Sequence, residues 1–295
     1  MSRVRVGIAD DNKDFCNILA DFFEMQQDID VIFTASDGMQ TVDAVHETGE
    51  FIMKEFAGFD ISMTEIKGLH DLVSYVDKGS EEMLVERLGK ILPESGFIAE
   101  EGTSTRKGNR FMWIIDPLDG TTNFVHGVRM FAISVALTEN GKPVAGVVYD
   151  ICGKETFTAW VNGGTWLNGK TVHVSAAEKL SSSLIATGFP YSDFSRLDNY
   201  MRCFTHFCRA THGIRRFGSA AIDLAYVACG RFDAFFEYGL NPWDVTAGAL
   251  LVREAGGHFC NFRGDEKDLS GKEIIASNDR IFREFLENVS KFMLD

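Results

Sequence analysis

The stretch of sequence that decides the fold is Trp113-Ile114-Ile115-Asp116-Pro117-Leu118-Asp119-Gly120-Thr121-Thr122-Asn123-Phe124. It begins within an apolar run (residues 111–115), continues through two aspartates and ends in a Gly-Thr-Thr turn. A short, continuous apolar run that ends at a turn is typical of a buried strand. The sequence therefore predicts that Asp116 and Asp119 lie at the end of a strand, next to the backbone N–H groups of a turn.

Two carboxylates in this position suit a divalent metal ion beside a phosphate group. Mg²⁺ prefers oxygen ligands in near-octahedral geometry and usually shares them with the phosphate of a substrate. A helix that begins at Gly120-Thr121-Thr122 would direct its free N–H groups at the same phosphate. The alternative is a polar turn in which an aspartate caps a helix, because D-x-x-D turns are common.

The composition is that of a globular chain with an excess of acidic residues. The 295 residues are enough for one large domain or for two halves that share a core. Asp and Glu number 43 against 29 Lys and Arg, which gives a net charge of −14. This excess argues against nucleic acid as a partner, since that requires clustered positive charge. It is compatible with a small phosphorylated substrate, because bound metal ions reverse the local sign of the charge.

The sequence also predicts a cytoplasmic protein without a membrane partner. No apolar run approaches the roughly 20 residues that a membrane-spanning helix needs. The N-terminus has no basic region followed by an apolar one, so no signal peptide is predicted. The six cysteines form no C-x-x-C pair and are expected to be reduced thiols.

Residues 1–38 differ in pattern from the rest of the chain. The predicted elements are a strand at residues 4–9, a helix capped by residues 10–12, a strand at residues 31–33 and a turn at Asp37-Gly38. This segment resembles the opening of a response-regulator receiver domain, in which an acidic pair, here Asp10 and Asp11, helps to bind Mg²⁺. The nearest candidate for a phospho-acceptor is Asp60, but residues 54–59 make a poor buried strand. We therefore interpret residues 1–38 as a receiver-like fragment or extension that cannot complete a core of its own.

From Met39 onward, blocks of helices alternate with blocks of antiparallel strands. Helices are predicted at residues 41–56, 80–92, 219–229 and 245–255, and strands at residues 131–137, 144–149, 156–160 and 171–174. Asn140-Gly141 is a strong hairpin signal between two of the strands. This arrangement predicts a layered α+β architecture for residues 39–295.

Three further acidic residues lie at the ends of predicted elements. Glu100 follows the apolar residues 97–99, Asp244 lies at a helix start after a proline, and Asp77 begins another helix. Each has an ordinary explanation by itself, because paired glutamates are common on surfaces and aspartate is a frequent helix cap. Their order along the chain is the more specific signal.

Together these segments resemble the inositol monophosphatase family of Mg²⁺-dependent, lithium-sensitive phosphatases, from about Met39 to the C-terminus. The two most specific segments are residues 113–124 and 243–257, and supporting segments are residues 164–169, 187–190 and 213–220. The resemblance implies a layered α/β/α/β/α sandwich of the sugar-phosphatase type, here preceded by the short β-α-β receiver-like extension.

The resemblance also implies the roles of individual residues. The ligands of two to three Mg²⁺ ions would be Glu100, Asp116, the Leu118 carbonyl, Asp119 and Asp244. The catalytic residues would be Asp77, Thr121, Glu100 and Asp116, with Thr121 and Asp77 orienting and deprotonating the attacking water. The substrate would be held by Gly120, Thr121, Thr122, Gly218, Ala220, Glu237 and Asp244. Lys67 would lie on a mobile loop that closes over the metal ions.

These roles imply a phosphomonoesterase that hydrolyses inositol monophosphate, and the family resemblance implies a homodimer. Within the same fold, a 3′(2′),5′-bisphosphate nucleotidase, a fructose-1,6-bisphosphatase or an NADP phosphatase are alternatives, because few pocket residues set specificity. From a different class, the chain could be a non-catalytic phospho-signalling protein with the receiver-like segment as its input.

Overall fold

The computed structural model describes residues 4–8, 18–19, 22–23, 25–26, 29–59, 64–68, 71–191 and 193–294. Strand β1 (Val4–Ile8) pairs in parallel with β2 (Ile29–Thr34). Both strands lie at the positions predicted for them, residues 4–9 and 31–33. Asp10, Asp11 and Asp60 lie outside the described residues. None of the described helices combines the length and the apolar character that a bilayer crossing needs.

The predicted turn at Asp37-Gly38 is wrong. Helix α1 (Ala35–Phe56) begins directly after β2, so these two residues lie in its first turn. An acidic residue is favourable near a helix N-terminus, and a glycine in a helix costs only about 1 kcal/mol. One helix therefore continues across residues 38 and 39, and the division of the chain into domains 1–38 and 39–295 stays a prediction.

A seven-stranded sheet forms one half of the main body. Strands β3 (Thr64–Gly68) and β4 (Asp71–Ser74) form a separate two-stranded sheet and are followed by helix α2 (Tyr75–Ile91). The strands of the seven-stranded sheet are β5 (Gly96–Ala99), β6 (Phe111–Asp119), β7 (Ala132–Glu139), β8 (Lys142–Asp150), β9 (Glu155–Trp160), β10 (Gly164–Leu167) and β11 (Lys170–Val172). They lie in the order β11-β10-β9-β8-β7-β6-β5. Neighbours are antiparallel, except that β5 is parallel to β6.

The Asn140-Gly141 hairpin is confirmed. It joins β7 to β8 with φ values of 49° and 76°. Two consecutive positive φ angles are what a type I′ turn requires, and Asn-Gly adopts them readily. The strands predicted at residues 131–137, 144–149, 156–160 and 171–174 agree with the observed bounds to within two residues, whereas the apolar run at residues 111–115 continues as a strand to Asp119.

A five-stranded sheet forms the other half. The remaining elements are helix α3 (Thr121–Val125), β12 (Leu184–Thr187), α4 (Leu197–Ala210), β13 (Gly213–Arg215), α5 (Ala220–Ala228), β14 (Ala234–Tyr238), α6 (Pro242–Glu254), β15 (Gly257–Cys260), β16 (Glu273–Asn278) and α7 (Phe282–Met293). The strand order is β13-β12-β14-β16-β15. Both sheets are almost fully buried where they face the helices between them.

Three apolar clusters show how the layers stack. One cluster packs α1 and α2 on the outer face of the seven-stranded sheet, for example Ile52 and Leu84 against Ile115. A second fills the space between the two sheets and contains α5 and α6. The third packs α4 and α7 on the far face of the five-stranded sheet, with Phe207 and Phe285 among its members. The predicted α/β/α/β/α layering is confirmed.

Candidate active site

The end of β6 brings Asp116 and Asp119 together by an irregularity in the strand. Residues three apart in a regular strand point to opposite faces of the sheet. The pairing of β6 with β7 shifts its register between Asp116 and Asp119, where Pro117 and Leu118 lie. Both carboxylates can therefore reach one point, although they are separated by an odd number of positions.

The third carboxylate of this group comes from the start of α6. Pro242 is the first residue of that helix and Asn241 is its N-cap, and the backbone N–H of Asn241 donates to Asp244 Oδ2 at 2.7 Å. One carboxylate oxygen each from Asp116, Asp119 and Asp244 lies within 4.8 Å of the other two. The distance is short enough for one cation to contact all three residues.

Backbone N–H groups also fix the other two aspartates. Leu118 donates its N–H to Asp116 Oδ1 at 3.0 Å. Asp119 Oδ2 accepts from the backbone N–H of Ala221 and from Ser219 Oγ, both at 2.7 Å. Each member of the trio thus has one oxygen held by the main chain, which orients the group before any ligand arrives.

Asp77 and Thr121 form a hydrogen-bonded pair at the edge of this group. Asp77 lies in the first turn of α2 in a capping box with Ser74, whose N–H and Oγ donate to Asp77 Oδ2 at 2.8 and 2.6 Å. The other oxygen, Oδ1, accepts from Thr121 Oγ1 at 2.9 Å. Thr121 Oγ1 also lies 3.0 Å from the carbonyl oxygen of Leu118. The capping box begins α2 at Tyr75, which confirms that Asp77 lies at a helix start, and the helix predicted at residues 80–92 is the later part of the same helix.

The carboxylates of the site are difficult to ionise together. Burial and the nearby carboxylates, chiefly Asp244 for Glu100 and Glu100 for Asp116, raise the pKa of Glu100 and of Asp116 well above the ordinary value. Burial raises the pKa of Asp119 to about 6, and burial together with the charge of Asp119 raises the pKa of Asp244 to about 7. Burial also raises the pKa of Asp77.

This donor set fits a hard divalent cation. The ligating atoms are all oxygens, which Mg²⁺ selects over nitrogen and sulfur. Buried carboxylates that lie close together disfavour each other's charged form, and a bound cation would supply the positive charge that offsets this repulsion. The arrangement is therefore more consistent with a metal site than with a set of helix caps, which would require no convergence of the three side chains.

The turn after β6 requires a glycine. Gly120 has a φ of 98°, and a Cβ atom there would lie 2.9 Å from the carbonyl oxygen of Met130. Thr121 and Thr122 follow as the first residues of α3, and Thr122 is exposed. Gly120, Thr121 and Thr122 directly follow Asp119 in the sequence.

Small residues and one buried glutamate lie on the side of the five-stranded sheet. Ala220 is the first residue of α5, directly after its N-cap Ser219, and Gly218 has a φ of 87°. Glu237 lies on β14 and is buried. A Cβ atom on Gly188 would lie 1.9 Å from the Glu237 carboxylate, so a larger residue next to Thr187 would displace that carboxylate.

The comparison with known families agrees with this geometry. The sequence model of the inositol monophosphatase family matches residues 36–293. The chain belongs to the inositol monophosphatase family. It is 41% identical over 251 residues to Nus factor SuhB of Pseudomonas aeruginosa, covering 83% of this chain and 93% of that protein. It is 40% identical over 251 residues to the inositol-1-monophosphatase of Rhizobium meliloti, covering 85% and 94%.

Solved structures of inositol monophosphatase relatives have the same fold. The chain aligns with the extragenic suppressor protein SuhB of Bartonella henselae with a TM-score of 0.81 and 38% identity, over 85% of this chain and 97% of that one. It aligns with the Thermotoga maritima IMPase with a TM-score of 0.78 and 35% identity, over 85% and 95%. The family match begins at residue 36, so the receiver-like resemblance of residues 1–38 stays a prediction.

One residue carried over from the inositol monophosphatase family lies in a strand. The backbone of Lys67 belongs to β3, which pairs with β4, whereas a mobile loop was expected there. The side chain of Lys67 lies outside the described residues.

Sequence reasoning missed several residues next to the site. Glu81 and Ser219 donate or accept hydrogen bonds at the site or its loop, and the charges of Arg216 and Asp223 interact with that of Asp119. Glu81 had a detectable signal, because it follows Asp77 by four positions and so shares its helix face. Asp223 had another, since it is the only charged residue in the apolar helix α5.

Proposed function

We propose that the protein is a Mg²⁺-dependent phosphomonoesterase that hydrolyses inositol monophosphate to inositol and phosphate. The observation that carries this proposal is the convergence of Asp116, Asp119 and Asp244 beside the Thr121–Asp77 hydrogen bond. This arrangement puts a cation site and a proton acceptor next to each other. In-line phosphoryl transfer needs mainly positioning and charge stabilisation, which such a site can supply.

We assign the cation ligands as follows. Glu100, Asp116 and the Leu118 carbonyl would hold one Mg²⁺ ion, Asp116, Asp119 and Asp244 a second, and a third, weaker ion would lie near Glu100. When bound, such ions lower the pKa of a water ligand and neutralise the charge of the leaving alkoxide. The backbone N–H contacts to the three aspartates support the assignment, because they fix the ligands in advance.

Thr121 and Asp77 would move the proton of the attacking water. Thr121 Oγ1 donates to Asp77 Oδ1, so its lone pairs can accept a hydrogen bond from the water. The proton passes to Thr121 Oγ1 as the hydroxyl proton of Thr121 passes to Asp77 Oδ1. Asp77 Oδ2 is held by Ser74, which leaves Oδ1 aimed at Thr121.

The remaining residues would bind the substrate. The N–H groups of Gly120, Thr121 and Thr122 are assigned to the phosphate. Gly218, Ala220, Glu237 and Asp244 are assigned to the alcohol half, where small residues leave room for a ring and carboxylates accept hydrogen bonds from hydroxyl groups. We also expect a cytoplasmic homodimer.

The direct test is phosphate release from a panel of substrates. The panel contains inositol-1-phosphate, 3′-phosphoadenosine-5′-phosphate, fructose-1,6-bisphosphate and NADP, each with and without Mg²⁺ and with added Li⁺. Release chiefly from inositol-1-phosphate that requires Mg²⁺ and is inhibited by Li⁺ would support the proposal. Preference for another member would keep the mechanism and change the substrate, and no release from any would contradict a catalytic role.

Deletion of the residues before Met39 separates the enzyme from a regulatory phospho-signalling protein. We expect the truncated protein to retain its phosphatase activity to within about twofold. The proposed catalytic residues all lie after residue 76, and changes at positions that are distant from one another and share no partners have nearly independent effects. Loss of activity in a truncated protein with an unchanged circular dichroism spectrum would favour a regulatory role of the first segment.

A second candidate function follows from the names of relatives, several of which are called Nus factors. The net charge of −14 argues against direct nucleic-acid binding, so such a role would need another kind of partner. The Asp116→Asn variant separates the two functions in cells. A cellular role that survives this substitution does not depend on phosphate hydrolysis.

A further inference from the structure

Glu81 is a fully buried carboxylate to which the proposed mechanism gives no task. It lies on α2, and its two oxygens accept three hydrogen bonds from one loop. The backbone N–H of Glu101 donates to Oε2 at 2.6 Å, and the N–H and Oγ1 of Thr103 donate to Oε1, both at 2.7 Å. Gly102, between the two donors, has a φ of 65°, a conformation that favours glycine. The loop is therefore folded around this carboxylate.

The loop in question begins at Glu100. Its backbone N–H donates to the carbonyl oxygen of Ile115 at 3.3 Å, which ties the start of the loop to β6. Residues 101–110 contain no helix or strand. The contacts to Glu81 lie within three residues of Glu100 on its C-terminal side, and farther along the loop the N–H of Phe97 donates to the carbonyl oxygen of Arg106 at 3.0 Å.

Glu100 differs from the other proposed ligands in how it is held. Asp116, Asp119 and Asp244 each accept a backbone N–H hydrogen bond. In the part of the chain that the structure describes, the Glu100 carboxyl accepts no such bond and interacts with Asp116 instead. Its position therefore depends on the backbone of its loop.

We propose that Glu81 is a positioning residue that holds Glu100 in the metal site by anchoring residues 101–103. The inference rests on the proposed function, since it concerns a Mg²⁺ ligand. Asp77 lies one turn before Glu81 on the same helix. Helix α2 therefore fixes the position of the proposed proton acceptor relative to the loop that carries Glu100. Glu81→Gln replaces one of the two acceptor oxygens by an NH₂ donor, so the N–H group of Glu101 or of Thr103 loses its acceptor and the attachment of residues 101–103 to α2 is weakened.

The first experiment measures Mg²⁺ binding by calorimetry on the full-length protein without substrate. Glu81→Gln is expected to weaken Mg²⁺ binding by about 10- to 100-fold, as is typical when a residue that orients a metal ligand is changed. Glu82→Gln is the matched control, because Glu82 is the next residue of the same helix, carries the same charge and is exposed. It is expected to bind Mg²⁺ like the unaltered protein.

A second pair of variants separates anchoring from charge. Thr103→Val removes one donor to Glu81 without changing any charge, and Thr103→Ser keeps that donor. Thr103 is exposed, so both variants are expected to fold. Thr103→Val should weaken Mg²⁺ binding by about fivefold, the size expected for the loss of one ordinary hydrogen bond, and Thr103→Ser should not. Hydrogen exchange at the Glu101 and Thr103 amides should become faster in Glu81→Gln, which reports the anchor directly.

The outcomes separate this inference from the proposed function. If the unaltered protein binds no Mg²⁺, the proposed function fails and the inference falls with it. If the unaltered protein binds Mg²⁺ and Glu81→Gln binds it equally well, only the inference is overturned. Weaker binding in Glu81→Gln without any difference between Thr103→Val and Thr103→Ser would also overturn it, because the effect would then arise from charge alone.

Discussion

The two halves of the molecule contribute different chemistry to one site. The seven-stranded sheet and its outer helices contribute Glu100, Asp116 and Asp119, together with the Asp77–Thr121 pair. The five-stranded sheet and the helices between the sheets contribute Asp244 and Glu237 among small residues. In the proposed function, the first half would supply metal binding and water activation, whereas the second half would complete the metal site and shape the pocket for the alcohol.

A direct connection holds the halves together at the site. Asp119, at the end of β6, accepts hydrogen bonds from Ser219 Oγ and from the N–H of Ala221 at the start of α5. A proposed metal ligand of the first half is thereby oriented by the second. A division of labour between the halves should appear as different kinetic consequences of substitutions on each side.

Asp116→Asn, in the first half, is expected to have the largest effect. Asp116 is the proposed ligand that both ions share, and its charge interacts with Glu100, Asp119 and Asp244. Loss of a single oxyanion-hole donor costs about 10²- to 10³-fold in turnover, and loss of a shared ligand should exceed about 10³-fold. Phosphate-release assays measure this, with Asp198→Asn on exposed surface as the control. Near-normal Mg²⁺-dependent activity would contradict the assignment of Asp116.

Thr121→Ala should reduce turnover without weakening Mg²⁺ binding. The hydroxyl that donates to Asp77 Oδ1 at 2.9 Å is lost, and a positioned proton-transfer group typically contributes about 10²- to 10⁴-fold. Thr121→Ser keeps the hydroxyl and should retain most of the rate. Comparison of kcat with the Mg²⁺ dissociation constant for both variants checks this, and equal losses in the two variants would show that the hydroxyl is not what matters.

Glu237→Gln, in the second half, should change substrate binding instead. Glu237 is buried and packs against Gly188, and it is not one of the three converging aspartates, although the charges of Asp119 and Asp244 act on it. We expect KM for inositol-1-phosphate to rise about tenfold and the preference among the four panel substrates to change, as for a lost polar contact in a specificity pocket. The Mg²⁺ dependence of the rate should stay the same. A shift in Mg²⁺ dependence as large as that of Asp116→Asn would contradict the proposal that the two halves have different roles.

The sequence predicted the first half of the site better than the second. The apolar run of β6 and the turn after it are visible as a pattern, and Asp116 and Asp119 follow from them. The register shift that brings these two aspartates together is not visible, because it depends on pairing with β7. The strands β14 and β16 are buried along their whole length, polar residues included, so neither alternation nor composition marks them.

The same physical reason explains the residues that sequence reasoning missed. A glutamate or an aspartate on a helix is usually solvated. Only the tertiary structure shows that the Glu81 carboxylate accepts three hydrogen bonds and that Asp223 Oδ1 accepts none from the residues that the structure describes. The motif resemblance supplied Gly218, Ala220 and Glu237, which periodicity alone would not have identified. The local sequence pattern thus predicted the strands with one regular buried face, and the family resemblance predicted the remaining site residues.

Asp223→Asn should have the smallest effect on activity and a measurable effect on stability. Asp223 is buried on α5, its Oδ1 atom has no hydrogen-bond partner within the described chain, and burial raises its pKa well above the ordinary value. The folded state therefore keeps this proton to a higher pH than the unfolded chain does. The free energy of unfolding consequently falls as the pH rises above the ordinary aspartate pKa of about 4, because deprotonation favours the unfolded state. Asparagine is neutral at every pH and avoids this loss.

Thermal unfolding of the metal-free protein at pH 8 and at pH 4 tests this expectation. At pH 8 the Asp223→Asn variant should be more stable, by about 1–3 kcal/mol if the asparagine is better accommodated than an unpaired buried carboxylate. At pH 4 the difference should shrink, since the folded protein then carries the proton and the unfolded chain carries it for about half of the time. A stabilisation that is equal at both pH values would show that Asp223 is not protonated in the folded protein. In that case the second half of the molecule would carry a further buried charge, compensated by Arg216, whose charge acts to lower the pKa of Asp223.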